Sequence, residues 1–147
     1  MKFIADVMLG RLAKRMRLLG FDVLYDHGLE DNDLLRLALE QGRVILTRDN
    51  GLASRPLAEN HILIDSDQVD RQLCQVLDAF SVPSAAMLTR CSVCNQPLRP
   101  LNKDDARDRV PDHVYERTER FFSCEQCGRV YWKGTHMKRM DAFMTKK

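Results

Sequence analysis

An α/β fold with a parallel sheet of about four strands, followed by a small zinc module, is what this sequence predicts, and three observations carry that expectation. Short aliphatic runs alternate four times with stretches of helical periodicity over residues 1–80, the pattern of strands joined by helices that cover both faces of a sheet. Three of those runs end on acids: Phe3-Ile4-Ala5 at Asp6, Val44-Ile45-Leu46-Thr47 just before Asp49, and Ile62-Leu63-Ile64 at Asp65, with Asp67 two residues on. Four of the five cysteines fall as Cys91-x-x-Cys94 and Cys124-x-x-Cys127.

Each element has local grounds. After the first strand, Leu9, Leu12, Ala13, Met16 and Leu19 form a helical stripe, Arg11, Lys14, Arg15 and Arg17 take the remaining surface, and Gly20 supplies the stop. Phe21 to Tyr25 reads as a second strand and Asp26-His27-Gly28 as a turn. Glu30-Asp31-Asn32-Asp33 opens a helix with Asp31 as N-cap, Leu34, Leu35, Ala38 and Leu39 facing inward, and Gly42 at its end. The third strand stops at Asn50-Gly51, and Leu52 to Leu57 suggests a helical turn broken by Pro56. Beyond the fourth strand, Val69, Leu73, Val76, Leu77 and Phe80 mark a helix, with Cys74 beside the stripe as an inert, half-buried thiol. Ser81-Val82-Pro83-Ser84 is a linker, so the chain divides into an α/β domain over 1–82 and a zinc module with a basic tail over 83–147.

At 147 residues and 44% hydrophobic, the chain can bury one ordinary core plus a small appendage. No apolar run approaches the roughly 20 residues that span a bilayer, and no secretory segment opens the sequence. A cytoplasmic protein without a membrane partner is therefore expected. The formal charge of +2 conceals an asymmetry: residues 1–84 hold ten Lys/Arg against thirteen Asp/Glu, net −3, whereas 85–147 hold thirteen against eight, net +5. A basic half beside an acidic one suits a nucleic-acid partner gripped by one part and presented to the other. Two ordinary solvated surfaces would have the same counts.

The 29 residues between the two Cys-x-x-Cys pairs describe a four-cysteine zinc site, each pair folding into a knuckle that supplies two corners of a tetrahedron. Asn95 and Gly128, the residues after the knuckles, are the types that best tolerate the left-handed backbone such turns need. With four thiolates in place the metal is expected to be structural, and His113 and His136 are read as surface residues. Arg120-Phe121-Phe122 and Val130-Tyr131-Trp132-Lys133 form the arms of a hairpin. Phe121, Phe122, Tyr131 and Trp132, set among Arg120, Arg129, Lys133, Lys138 and Arg139, serve either as aromatic cover for the metal site or as a base-stacking surface.

Carboxyl ends of parallel strands are where open α/β sheets place their ligands. Aspartates gathered there repel one another unless protonated or bridged by cations, and hard oxygen donors select Mg2+ or Mn2+. Two such ions roughly 4 Å apart activate water and hold a phosphodiester without any nucleophilic side chain. The sequence has no Gly-x-Ser-x-Gly elbow, phosphate loop or dinucleotide fingerprint to suggest otherwise. Candidate acids are Asp6, Asp49, Asp31 or Asp33, and Asp65 or Asp67. Arg11, Lys14, Arg15 and Arg48 are candidate phosphate contacts, and Thr47 is placed to orient a carboxylate or water. For Asp31 and Asp33, stabilisation of a helix start is the competing reading.

The joint pattern of Ala5-Asp6-x-Met8-Leu9-Gly10-x-Leu12-Ala13, Arg17-Leu18-Leu19-Gly20-Phe21-Asp22, Leu46-Thr47-Arg48-Asp49, the paired Cys-x-x-Cys and Val130-Tyr131-Trp132-Lys133-Gly134-x-His136 resembles the Mut-seven C-terminal RNase domain family over nearly the whole chain. That resemblance implies a PIN-like nuclease fold fused to a zinc ribbon and metal-dependent hydrolysis of RNA. It also implies Asp6, Asp49 and an acid at the start of the second helix as ligands of catalytic Mg2+ or Mn2+, with Asp31 matching the family position better than Asp33. A non-catalytic RNA-binding adaptor built on the zinc ribbon is the alternative.

Overall fold

The computed structural model describes residues 1–80, 88–134 and 137–138. The proposed linker at 81–84, the division at 82/83, His136 and Arg139 lie outside the described residues. Strand β1 (Lys2–Ala5) runs through a single 3-10 turn into helix α1 (Gly10–Leu18), followed by β2 (Asp22–Leu24) and α2 (Asp31–Gln41). Strand β3 (Val44–Thr47), the short helix α3 (Asn50–Ala53), a 3-10 turn at Pro56–Ala58, β4 (His61–Leu63) and α4 (Val69–Ala79) complete the α/β part. All strand pairs are parallel and their order is β2-β1-β3-β4.

Alternation along the strands explains why helices are needed on both sides. Phe3, Ala5, Val44 and Leu46 point to one face, where Leu9, Leu12, Met16, Leu73 and Val76 of the α1 and α4 layer bury them. Ile4 and Ile45 point to the other, against Leu34, Leu35 and Ala38 of α2 and Leu52 of α3. A strand apolar at every position has no solvated face, so the sheet is stable only when sandwiched. Phe3 is fully buried and meets Phe21 and Phe80 edge-on at 5.4 and 5.3 Å. Truncation of such a side chain costs about 3–5 kcal/mol.

Several expectations need correction. Glu30, not Asp31, is the N-cap of α2; it makes no side-chain cap bond, and Asp31 is the first helical residue. Leu39 is 58% exposed because only Leu34, Leu35 and Ala38 reach the sheet. The turn after β3 begins earlier than expected, at Asn50, since the side chain of Asp49 caps it, and Pro56 starts the next turn instead of breaking this one. Arg17 is not on the solvated face of α1 but 5% exposed. Its Nε donates to Val23 O (2.9 Å) and Nη1 to Ser92 O (3.0 Å) and Val93 O (3.1 Å). A guanidinium with five donors can serve three carbonyls at once, which offsets the cost of burying its charge.

The C-terminal part is a three-stranded antiparallel sheet in the order β5-β6-β7, from β5 (Arg99–Leu101), β6 (Phe121–Ser123) and β7 (Val130–Tyr131). The hairpin of the last two strands is as the sequence suggests, with Phe122 opposite Tyr131. The charged stretch between β5 and β6 folds as two short helices, α5 (Lys103–Ala106) and α6 (Asp112–Arg117), with His113 exposed on the second. Leu88 belongs to the larger core cluster, which includes side chains of α1 and α4, and Phe122 and Tyr131 pack against that cluster, so this module extends the core of the larger part.

Candidate active site and metal centre

At the carboxyl edge of the sheet, adjacent strands β1 and β3 deliver Asp6 and Asp49. Their link is Thr47, which is completely buried. Its hydroxyl donates to Asp6 Oδ2 at 2.9 Å and accepts from the amide of Asp49 at 2.9 Å. Asp6, 7% exposed, also takes the Val7 amide on Oδ1 at 2.7 Å and so caps the turn that begins α1. Asp49 Oδ1 takes the amides of Gly51 (2.8 Å) and Leu52 (3.4 Å) at the start of α3. Both acids are thus held by the backbone turns that follow their strands, which fixes their positions before any ligand arrives.

Asp65 follows β4, whose continuation bonds to the same threonine: Ile64 N donates to Thr47 O at 2.7 Å. Gln75 of α4 clamps that strand end, accepting from Asp65 N at 3.1 Å and donating to Leu63 O at 2.8 Å. Asp65 and Asp67 are exposed. Asp31 and Asp33 are exposed in the first turn of α2, and Asp33 pairs with Arg36 at 3.3 Å. Arg55, just beyond α3, donates to Asn32 Oδ1 at 2.7 Å and ties that helix start to the end of α3. In a parallel α/β arrangement helix starts lie at the carboxyl ends of the preceding strands, so all six acids belong to one side of the sheet.

The candidate phosphate contacts divide. Arg11 and Lys14 are exposed on α1. Arg15 is engaged by Asp70 of α4. Arg48 is half-buried, and among the described residues its Nε is enclosed without a hydrogen-bond partner.

Sequence reasoning did not single out Tyr25 at this edge. Its hydroxyl donates to Val7 O at 2.8 Å. Burial, and then the charge of Asp6, push its phenol above the ordinary value. No motif marks it, because it reaches Asp6 only through the β1–β2 pairing.

The second site is the cysteine cluster. The ligand sulfurs of Cys91, Cys94, Cys124 and Cys127 lie within 4.8 Å of one another, and among the described residues no group of three carboxylates is assembled in that way. The two knuckles are built alike. Cys91 N and O bond to Gln96 O and Asn95 N at 2.9 Å each, while Cys124 N and O bond to Arg129 O (3.0 Å) and Gly128 N (2.8 Å). Asn95 (φ 62°) and Gly128 (φ 76°) make the left-handed turns as expected. The Cys91 and Cys127 sulfurs are 3.7 Å apart, close to the edge of about 3.8 Å that a tetrahedron with metal–sulfur bonds of about 2.3 Å requires.

Tyr131 is part of this centre. Its hydroxyl lies 3.0 Å from Cys91 Sγ and 3.1 Å from the Ser92 amide and Oγ. Burial pushes the Cys91 thiol up, but hydrogen bonds from Tyr131 and from the Cys94 and Val93 amides bring it down to about 7. Burial and the neighbouring sulfurs push Cys94 up to about 12. Four sulfurs this close cannot all ionise without a cation between them, so the donor set fits a metal such as zinc. Phe121 is buried, ring-stacked with Tyr115 at 6.5 Å and edge-on to Trp132 at 6.5 Å. Phe121 therefore serves packing, while Phe122 and Tyr131 are half-buried against the larger core cluster.

No helix of the described residues is long and apolar enough to cross a membrane. No curated protein and no solved structure matches the chain. The model of the Mut7-C RNAse domain matches residues 1–144, which include both the acid edge and the cysteine cluster. The chain belongs to the Mut7-C RNAse domain family.

Proposed function

We propose that this protein is a metal-dependent ribonuclease with a PIN-like α/β domain, hydrolysing RNA at the carboxyl edge of the four-stranded sheet, and that the zinc-loaded ribbon assists RNA binding. The single observation that carries this reading is the Thr47 hydroxyl, which joins the carboxylate of Asp6 to the backbone of Asp49. A buried hydroxyl committed to both strand ends fixes the Asp6 carboxylate relative to the backbone that carries Asp49.

The donor set suits a hard cation. Mg2+ characteristically keeps several waters and uses one or two protein carboxylates plus substrate phosphate oxygens, so three carboxylates in mutual contact are not required. Such an ion, when bound, lowers the pKa of a water and neutralises charge on the phosphodiester. Asp6 offers its Oδ2 in an orientation set by Thr47, and Asp49 offers Oδ2 because its cap uses Oδ1. Asp31 or Asp33 and Asp65 or Asp67 would complete the acidic rim. Arg48, next to Asp49 in the chain, and the exposed Arg11 and Lys14 hold the RNA backbone.

The test is cleavage of labelled RNA by zinc-loaded protein with and without Mn2+, alongside Asp6→Asn and Asp49→Asn. Each variant should lower the rate roughly a thousandfold, the scale of losing several kcal/mol of charge stabilisation. The competing adaptor reading draws on the capping roles of both acids. It gains if RNA is bound equally in a mild chelator that spares zinc and no product forms at any Mn2+ concentration.

A further inference from the structure

Beyond Asp6 the acid edge continues onto a surface that hydrolysis leaves unused. Tyr25 lays its ring over the start of α1, where a Cβ on Gly10 would fall 2.8 Å from Tyr25 Oη and 3.0 Å from Cζ. A side chain at residue 10 would push that ring aside. The Tyr25 hydroxyl donates to the Val7 carbonyl at 2.8 Å, and Asp6 Oδ1 accepts from the Val7 amide at 2.7 Å. One residue thus connects the pinned phenol to the carboxylate.

His27 stands edge-on to Tyr25, with ring centroids 5.2 Å apart and planes at 70°. Tyr25 Oη is 3.4 and 3.5 Å from its two nitrogens, so it rests against the imidazole without favouring either one. The imidazole is exposed, and so are Val7 (45%) and Met8 (65%), the two residues that follow Asp6. An aromatic ring against the Tyr25 hydroxyl, which itself bonds the Val7 backbone, with exposed Val7 and Met8 at the head of α1 and the exposed cations of Arg11 and Lys14 further along it, combines a stacking face with phosphate contacts.

We propose that His27, braced by Tyr25 and flanked by Val7 and Met8, is a stacking platform for one unpaired base of single-stranded RNA, adjacent to the phosphate held at Asp6 and Asp49. The proposal rests on the nuclease reading for the position of that phosphate. Bases inside an A-form duplex are stacked on each other and offer no free face, so the platform selects single strands. Stacking accepts any base, so it selects no sequence.

The experiment measures anisotropy of a labelled oligouridylate, alone and annealed to its complement, with full-length, zinc-loaded Asp49→Asn protein in buffer without Mg2+ or Mn2+. Adding His27→Ala, or Tyr25→Leu, should weaken single-strand binding roughly tenfold, the effect of one lost stack, with duplex binding and the salt slope unchanged. Gly10→Ala should do the same while keeping every platform atom, and His27→Phe should restore binding. Absence of single-strand binding, equal binding by the His27→Ala protein, equal losses on both RNAs, or a His27→Phe protein as weak as His27→Ala would each overturn the platform. Unimpaired Mn2+-dependent cleavage by Asp6→Asn would sink the nuclease reading and leave this comparison intact.

Discussion

Asn95 and Asp22 join the two parts of the molecule: the Asn95 side-chain amide donates to Asp22 Oδ1 at 2.7 Å, and its carbonyl accepts from the Val23 amide at 3.1 Å. Asn95 closes the first cysteine knuckle with a left-handed backbone, while β2 is the edge strand of the sheet. The amide thus occupies the hydrogen-bonding positions that a fifth strand would take. Arg43 extends the network, donating to Asp22 Oδ1 at 2.8 Å and Phe3 O at 2.9 Å, so it runs from β3 across β1 and β2 into the ribbon.

Asn95→Gly keeps the backbone geometry and removes only the bridge. It should lower unfolding free energy by about 1–3 kcal/mol in urea titrations, with zinc content unchanged. Asn95→Asp should be worse at neutral pH, since it sets a second carboxylate against Asp22. That difference should close below about pH 4.

The Asp22 carboxyl gives acid sensitivity. Burial works against its charged form, but hydrogen bonds from Arg43 and Asn95 and the charge of Arg43 outweigh burial and hold the pKa below the usual value. A depressed native pKa contributes stability that is complete above the unfolded value of about 3.9 and is lost as pH falls through the native value. Asp22→Asn should flatten the low-pH limb of melting temperature against pH; an unchanged limb would remove Asp22 from that role.

Thr47→Val retains shape and deletes the hydroxyl, leaving Asp6 Oδ2 and the Asp49 amide without their partner. A loss of about 1–3 kcal/mol is expected by chemical denaturation, together with slower RNA cleavage. Thr47→Ser should keep most of both.

Asp49 separates capping from chemistry. Asparagine caps a helix about as well as aspartate, so Asp49→Asn should leave the melting temperature intact or raised, whereas Asp49→Ala should cost about 1 kcal/mol. Both should lower Mn2+-dependent cleavage roughly a thousandfold.

Elemental analysis should find one zinc per chain. Because Phe122 and Tyr131 pack against the larger core cluster, removal of zinc by a strong chelator should lower the melting of the α/β part as well as the ribbon. A circular-dichroism melt of the helices that ignores chelation would contradict that coupling.

The core of the fold was legible because its signals are local. Four aliphatic runs, the helical stripe from Leu9 to Leu19 and the paired cysteines can be read within windows of a few residues, and the left-handed turns at Asn95 and Gly128 follow from residue type alone. The error at Arg17 shows where such reading stops. On a helical wheel it belongs to the charged face, yet the carbonyls of Ser92 and Val93, some 75 residues on, draw it inside.

By itself the sequence determined the four strands of the parallel sheet and the final hairpin, the acids that follow those strands and the cysteines spaced for a metal, because period, turn chemistry and ligand spacing are properties of neighbouring positions; β5 and the two short helices after it carry no such local signal. Only the tertiary structure decided that β1 and β3 lie side by side so that Thr47 reaches Asp6, that Gly10 makes room for Tyr25, and that Asn95 docks on the edge of β2. Those partners are separated by many residues, and side chains distant along the chain acquire a mutual geometry only when strand pairing and core packing fix the path between them.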